Sequence, residues 1–498
     1  MKNMIGALLC CNMVISPVYA STFQPVNTFT PTIAGSPTLQ DSFGQTVYTH
    51  EDYIFIAAPV ARPNPDKVAS GAIYVYKKSG SSWNNIQVIT TGGMSDHLGV
   101  LNVRAIDDWL FVSAIGTPIG GAGDDGMLDQ DFTGSVRIYQ KNTNGTYDFV
   151  QAIDKTTPGL EGLSVVDIDA HTQNTPPKDH ELGAAFGINF DLNEDGTKLL
   201  VSAPTQKSAA GDINAGAVFA FELENNQWVL KQTIYDPEGS VKNGTFGGRI
   251  KVSGDLAIIS NTETFSNIKL SVNSKVFLYR FDCETQSWHH MDTVHGTQEN
   301  LMPAASFLYG GVVFDSSGIP QPGSVQVGDN FGGSLALKNR WLMVGAPYEN
   351  LGTDKPRGAA YLYHIETFAG QPKMVFVQKI TSSDPESLLT GVNVAIDGKT
   401  ALVADPARTG TSGQIAQGAA IVYERHGAQW GKTAELVDPN GQAYQFFANG
   451  LDVKGKRILT GTGTAITAIN LGLVFSPAFL PQMPLPLQSN KAIEWERQ

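Results

Sequence analysis

One segment of this chain keeps returning. Phe43-Gly44, Ala57-Ala58-Pro59 and Gly71-Ala72-Ile73-Tyr74-Val75-Tyr76 recur as Phe186-Gly187, Ser202-Ala203-Pro204 and Gly216-Ala217-Val218-Phe219. They recur again as Phe331-Gly332, Gly345-Ala346-Pro347 and Gly358-Ala359-Ala360-Tyr361. Fainter copies start at Leu98-Gly99, Phe246-Gly247, Leu389-Thr390-Gly391 and Phe446-Phe447. The distance from the opening apolar residue to the small residue before the turn hardly changes, running 43 to 58, 98 to 114, 186 to 203, 246 to 260, 331 to 346, 389 to 404 and 446 to 461. Near-equal offsets at a period of roughly 60 residues mark a repeat architecture. A chain of 498 residues would otherwise suggest several domains. The repeat instead predicts one closed body.

Within a copy the apolar residues alternate with the two-residue period of strands. In the third copy Phe186-Gly187-Ile188-Asn189-Phe190 reads as a short first strand, followed by a turn at Asn193-Glu194-Asp195-Gly196. Leu199 to Ala203 is a second strand, stopped by Pro204, which has no amide to give to a ladder. Ala217 to Phe221 is a third strand, and Trp228 to Gln232 a fourth. Fourth strands elsewhere are expected near Trp83, Tyr147, Phe376 and Trp430, with Gln87, Gln151 and Gln378 recurring where Gln232 stands. No window shows a sustained helical period. Four-stranded meanders repeated around an axis predict an all-β fold, a seven-bladed β-propeller of antiparallel blades, whose closure leaves few exposed strand edges. The last copy has two clear strands between Leu451 and Gly461 and a third expected at Gly472-Leu473-Val474-Phe475. The N-terminal segment Thr22–Val26 is expected to supply its missing fourth strand and close the ring.

The termini and composition narrow the class. Met1–Ala20, with one Lys, an apolar run and Val18-Tyr19-Ala20 at its end, reads as a secretory signal peptide too short to span a membrane. Leu9 stands before Cys10 where a lipoprotein signal would need a small residue, which favours a product without a lipid anchor. The expected organisation is a signal peptide over 1–20, a propeller over 21–475 and a proline-rich extension over 476–498. Cys283 is the sole cysteine beyond residue 20, so no internal disulfide is available and stability must come from core burial. A net charge of −13 gains nothing from phosphate counterion release, which argues against a nucleic acid partner. The expected product is a monomeric propeller exported to a periplasm, a cell surface or the medium, with no transmembrane segment.

Phe-Gly followed at fixed distance by Gly-Ala-Pro, as in Phe331-Gly332 and Gly345-Ala346-Pro347, resembles the FG-GAP repeat of the integrin α-subunit N-terminal propeller. The resemblance covers roughly Phe23 to Phe475 and is strong in three copies. It implies a binding or adhesion module, although one fold hosts many functions. It also implies a calcium loop between first and second strands. Asp191-Leu192-Asn193-Glu194-Asp195-Gly196-Thr197-Lys198-Leu199 is the near match, with Asp191, Asn193 and Asp195 as oxygen donors. Leu199 occupies the last ligand position and Lys198 sits beside it, so a plain polar turn is the competing reading. No cofactor is required by any motif, and calcium is the one candidate ion.

In an antiparallel meander the first-to-second and third-to-fourth turns share one face of the ring. The second-to-third loops and the links between blades share the other. The chain puts tight turns on the first face, Glu366 to Lys373 being the longest excursion, and places long segments such as Ile115–Thr133, Asp154–Glu181 and His289–Gly328 on the second. Long loops on one rim of a rigid scaffold are the usual place for recognition. Asp124, Asp125, Asp129 and Asp131 form an acidic cluster there, read either as a cation or basic-partner site or as a solvated loop. Phe307 and Tyr309 lie in an apolar stretch that either covers the channel mouth or forms a contact patch. His289, His290 and His295 have enough donors for a transition metal, but adjacent residues on a strand point apart. The chain has no H-E-x-x-H, G-x-S-x-G or P-loop motif. The leading expectation is therefore a binding or adhesion module for a protein or glycan. A polysaccharide hydrolase or lyase using channel-mouth carboxylates and a structural component of an exported assembly are the alternatives.

Overall fold

The computed structural model describes residues 23–497 except 33–40, 64–69, 92–95, 116–117, 123–127, 131–132, 165–182, 241–243, 263–268, 271–273, 297–301, 304–311, 315–319, 323–325, 352–356, 386, 411–412, 415, 443–444 and 463–490. Seven four-stranded antiparallel sheets form a β-propeller, and the described residues contain no helix. The innermost strands of blades 1 to 7 are Thr46–His50, Val103–Ile106, Phe190–Leu192, Phe246–Ser253, Ser334–Lys338, Val394–Asp397 and Gly450–Lys454. Blade 3 shows the plan: Phe190–Leu192, Lys198–Ala203, Ala217–Glu224 and Gln227–Ile234 pair in sequence order.

Because successive side chains on a strand point to opposite faces, each blade presents one apolar set to each neighbour. In blade 3, Leu199 and Val201 pack with Phe111, Val136 and Ile138 of blade 2, while Leu200, Val218 and Ala220 pack with Ile250, Ile259 and Phe277 of blade 4. The same arrangement gives one apolar cluster at every blade–blade seam around the ring.

Outside blade 4, whose innermost strand already starts at Phe246, the recurring apolar-Gly pair is a turn that feeds the innermost strand and not part of the strand itself. Gly187 has φ +81° and Ala185 φ +51°, and the strand begins only at Phe190. The other copies repeat this left-handed pair, including Thr245 with Gly247 and Asn330 with Gly332. In the last copy the aromatic is Phe447, and Ala448 takes the glycine position at φ +71°. The turn lies on the preceding blade: Phe246 N donates to Ala215 O at 2.9 Å and Phe447 N to Gln417 O at 2.9 Å. In five blades a glycine opens the third strand and permits this approach, since a Cβ on Gly418 would stand 2.5 Å from Phe447 N.

The recurring glutamines hold the outer edge. Gln87 donates to Tyr147 O at 2.8 Å and accepts from Tyr147 N at 2.7 Å, joining blade 1 to blade 2. Gln232 repeats the two-way link with Trp288, at 3.1 and 2.8 Å, joining blade 3 to blade 4.

Closure uses both ends of the chain. Phe23–Phe29 is the fourth strand of blade 7, as expected, but the third strand is Ala492–Arg497. The propeller therefore runs to the C-terminal residues, and the expected extension over 476–498 is corrected for its last segment. Gly472–Phe475 lies outside the described residues. The overlooked pattern is Ala492-Ile493-Glu494-Trp495, whose side chains are all buried. Ala492 pairs with Gly461 as Ala217 pairs with Ala203 in blade 3. A second correction concerns Glu366 to Lys373. Here both strands extend, over Ala359–Phe368 and Gln371–Ile380, and only Ala369-Gly370 turns, so Phe376 falls mid-strand.

Glu494 locks the seam between the last and first blades. Its carboxylate, buried to 1% exposure, meets Arg457 Nε at 2.8 Å and accepts from Trp83 Nε1 and Asn27 Nδ2, each at 2.7 Å. Glu494→Ala would leave Arg457 without its counter-charge, and is expected to lower the unfolding free energy by about 3–5 kcal/mol in a urea titration. Glu496→Ala, removing a carboxylate 50% exposed and 3.9 Å from Lys78, is expected to cost less than about 1 kcal/mol.

Candidate functional site

The strand bounds make the two faces unequal. First-to-second connections are as short as 51–52, 107–108, 254–255, 339–340, 398–399 and 455–456, with 193–197 the longest. Asn339 and Arg340 at φ +48° and +66° make the two-residue hairpin turn suited to twisted strands. Third-to-fourth connections are equally brief, for example 80–81, 225–226 and 369–370. On the opposite face, second-to-third connections run over 59–71, 204–216, 347–358, 406–418 and 462–491, and blade links over 154–189 and 296–333.

The described parts of the long-loop face are tied down by buried polar groups. Asp96, fully buried, pairs with Arg137. Glu349 accepts from Tyr361 Oη at 2.7 Å and pairs with Lys379 at 2.5 Å. Asp438 holds Lys491 at 2.5 Å and Gln445 Nε2 at 2.6 Å. The aspartates that follow fourth strands cap the next turn, as Asp236 Oδ1 does for Glu238 N at 2.9 Å and Asp438 Oδ1 for Asn440 N at 3.0 Å. These bonds fix where the loops leave and rejoin the ring.

Of the acidic cluster, Asp124, Asp125 and Asp131 lie outside the described residues. Asp129 belongs to the short strand Leu128–Gln130, which pairs with Pro118–Ala122. Phe307 and Tyr309 also lie outside the described residues. Among the histidines, His289 and His290 sit on the exposed outer strand Ser287–His295, where His289 Nε2 meets Thr285 Oγ1 at 2.9 Å and His290 Nε2 meets Thr293 Oγ1 at 2.9 Å. Among the described residues no group of three or more His, Cys, Asp or Glu is placed to hold a metal ion.

The Asp191 loop is built as a turn. Asn193 Oδ1 accepts from Thr197 N at 3.1 Å and Lys198 N at 2.9 Å, and Asp195 Oδ1 accepts from Thr197 N at 3.0 Å. Asp191 faces the channel, where its carboxylate pairs with Arg104 Nε at 3.2 Å and accepts from Val252 N at 2.9 Å. A calcium ion on this loop would have to displace the guanidinium and the turn's own hydrogen bonds. The oxygens present do not fit a hard cation.

The innermost strands line a central cavity of about 260 Å³ that no sequence motif marks. Side-chain amides and hydroxyls near the long-loop end bond across the seams: Gln45 to Val100 O at 3.2 Å, Asn189 to Gly248 O at 2.8 Å and Ser334 to Gly391 O at 2.7 Å. Asn102 and Asn393 do the same to Phe190 O and Asn449 O. Deeper in, Arg104 donates to Tyr48 Oη at 2.7 Å as well as pairing with Asp191. Burial alone would lower its pKa, but Asp191, then Tyr48 and Asp452, hold it above the usual value. Asp452 accepts from Thr49 N at 2.6 Å, and burial raises its pKa. Burial also pushes Tyr48 up to about 12, Arg249 down to about 10, and Lys251 below the usual lysine value. The repeat carried a signal for these residues: Asp191, Lys251 and Asp452 each stand four positions after the residue at the turn's glycine position, Gly187, Gly247 and Ala448.

No family model matches this chain, and no curated protein matches it. The likeness to FG-GAP repeats rests on the motif residues alone. Among solved structures, a protein from Lactobacillus plantarum aligns with 80% of this chain and 86% of its own at 11% identity and a TM-score of 0.44. The Pseudomonas aeruginosa periplasmic gluconolactonase PpgL aligns with 78% of this chain and 87% of its own at 12% identity and a TM-score of 0.37. No helix among the described residues is long and apolar enough to cross a membrane.

The long-loop face has an acid-sensitive point at His97, which precedes the Leu98-Gly99 turn. Burial pushes its pKa from 6.5 to about 4, opposed only by a hydrogen bond to the Pro59 backbone. The unfolded chain therefore binds this proton more readily than the folded one. Stability from His97 is complete above about pH 6.5 and is lost as the pH falls through about 4, on the order of 3 kcal/mol in all. Denaturant titrations of the wild type and His97→Asn between these limits are expected to show the variant with the flatter profile. Asparagine tolerates the left-handed φ of +47° at this position.

Proposed function

We propose that this chain is an exported FG-GAP-type propeller that recognises a protein or glycan through its long-loop face. The observation that carries the reading is the asymmetry between faces. Tight hairpin turns close one rim, while every long connection leaves the other from anchored positions such as Asp96, Glu349 and Asp438. A rigid ring that pre-sets the exits of variable loops reduces the ordering cost that recognition must overcome. Adhesion is the form of recognition that the FG-GAP resemblance suggests. The acidic residues Asp124, Asp125, Asp129 and Asp131 and the apolar Phe307 and Tyr309 fall in these connections. They are the first candidates for contact with a ligand.

The connection between the second and third strands of blade 2 gives a clean test. Ala114 and Ser135 are direct cross-strand partners, so the segment between them can be shortened without changing register. Replacing Ile115–Thr133 by a short Gly-Ser linker is expected to abolish retention on the glycan or purified protein that the full chain binds in a panel screen. The unfolding transition should stay cooperative and close to that of the wild type. Undiminished retention would count against this face. Release of reducing ends from a panel polysaccharide would replace the binding module with a hydrolase or lyase.

A further inference from the structure

The charges lining the central cavity are not evenly matched. Arg104 is met by Asp191 at 3.2 Å, and Lys338 by Glu194 at 3.1 Å. Asp452 and Asp397 are each held by a backbone amide of the next blade, Thr49 N at 2.6 Å and Gly455 N at 2.7 Å. Blade 4 is different. Its innermost strand, Phe246–Ser253, buries Ile250 and Val252 in the blade seam and turns Arg249 and Lys251 to the cavity, two cations at i and i+2 with no carboxylate on the same strand.

Arg249 Nη1 donates to Gly248 O at 2.9 Å. Lys251 is half-buried, makes no hydrogen bond and no ion pair among the described residues, and the cavity opens onto it. Two carboxylates act on Lys251 through space, and both are committed. Asp191 is engaged by Arg104 and by Val252 N, and Asp452 is itself pushed toward its neutral form by burial. Their attraction does not offset the loss of water around Lys251, whose charged form stays disfavoured. An ammonium that faces a cavity without a bonded counter-charge is a ready seat for an anion.

We propose that the central cavity is a binding site for a small oxyanion, a carboxylate or a phosphate, seated against Lys251 and Arg249 of blade 4. The volume of about 260 Å³ takes inorganic phosphate or a carboxylate of a few carbons. The guanidinium offers a fork of donors and the ammonium a compact charge, the pairing that suits a group with two or three equivalent oxygens. The site lies in the ring itself, so it stands whether or not the loops bind a partner.

The test is thermal melting of the full chain at fixed ionic strength, with chloride replaced stepwise by acetate, succinate or inorganic phosphate. A saturable rise in Tm is expected for at least one of them, since a ligand that binds only the folded state stabilises in proportion to its occupancy. Lys251→Met is expected to weaken the apparent affinity at least tenfold, and Lys251→Arg to retain it. Lys231→Met, on an outer strand where the lysine pairs with Glu224 at 2.7 Å, should leave it unchanged. A response to phosphate but not to the carboxylates assigns the site to phosphate, and the reverse assigns it to carboxylates. Should Lys251→Met fail to fold, Lys251→Gln carries the same expectation, and calorimetric titration of the wild type reads saturable binding directly. Absence of saturation with every anion up to tens of millimolar, or an equal response in the uncharged variants, would overturn the site.

Discussion

Everything in this propeller depends on a place where two backbones touch. In five of the seven blades the third strand is opened by a glycine, and the turn of the next blade rests on it, closely enough that Gly216 and Phe246 form a parallel bridge, as do Gly358 and Thr390. No side chain fits between them. A Cβ on Gly187 would stand 2.5 Å from Ser135 O, and one on Gly332 would stand 2.7 Å from the Ser260 Cβ. That approach sets the wedge angle between sheets, and the wedge is then filled by the buried aromatics Phe43, Phe186, Phe246, Phe331 and Phe447. Burial of a Phe side chain is worth about 1.5–3 kcal/mol, so the seams supply apolar stabilisation to a ring whose one described cysteine, Cys283, is free.

Polar groups then fix the register of blade against blade. The inner amides bond across the channel seams and two outer glutamines clasp the neighbouring fourth strand, so the seams of blade 1 with blade 2 and of blade 3 with blade 4 are secured at both radii. The last seam is charged, with Glu494 serving Arg457, Trp83 and Asn27 while Arg457 lies over the Trp83 ring at 4.9 Å. Arg497 pairs with Glu424 of blade 6 at 2.6 Å on the other side of the closing strand. The two chain ends meet without a covalent link inside blade 7, where Phe23–Phe29 pairs with Ala492–Arg497. The charge-assisted bond from Asn27 to Glu494 adds a directional hold across that joint.

The repeat made most of this fold legible. Its spacing placed the second and third strands of the well-matched copies, because Pro204 and Pro347 end one strand and Gly216 and Gly358 open the next. It also singled out the glutamines, whose two-way backbone links explain why that side chain recurs. The aromatic-Gly pair was misread as strand because its apolar residues suit either state, and the left-handed φ that makes it a turn is a property of the neighbouring blade's approach. The closing strand escaped for a different reason. Ala492–Arg497 is separated from Arg457–Gly461 by a long segment rich in proline, and local pattern carries no information about which distant edge a strand will join.

The sequence by itself determined the number of blades, their four-stranded plan and the concentration of long connections on one rim, since each follows from periodicity and spacing along the chain. Only the tertiary structure decided that the C-terminal residues complete the ring, that Asp191 answers Arg104 across the blade seam, and that Lys251 faces the cavity with no hydrogen bond or ion pair among the described residues. Those facts concern residues from different blades brought to one axis. Their encounter is fixed by the angle at which sheets stack, a quantity that no single repeat contains.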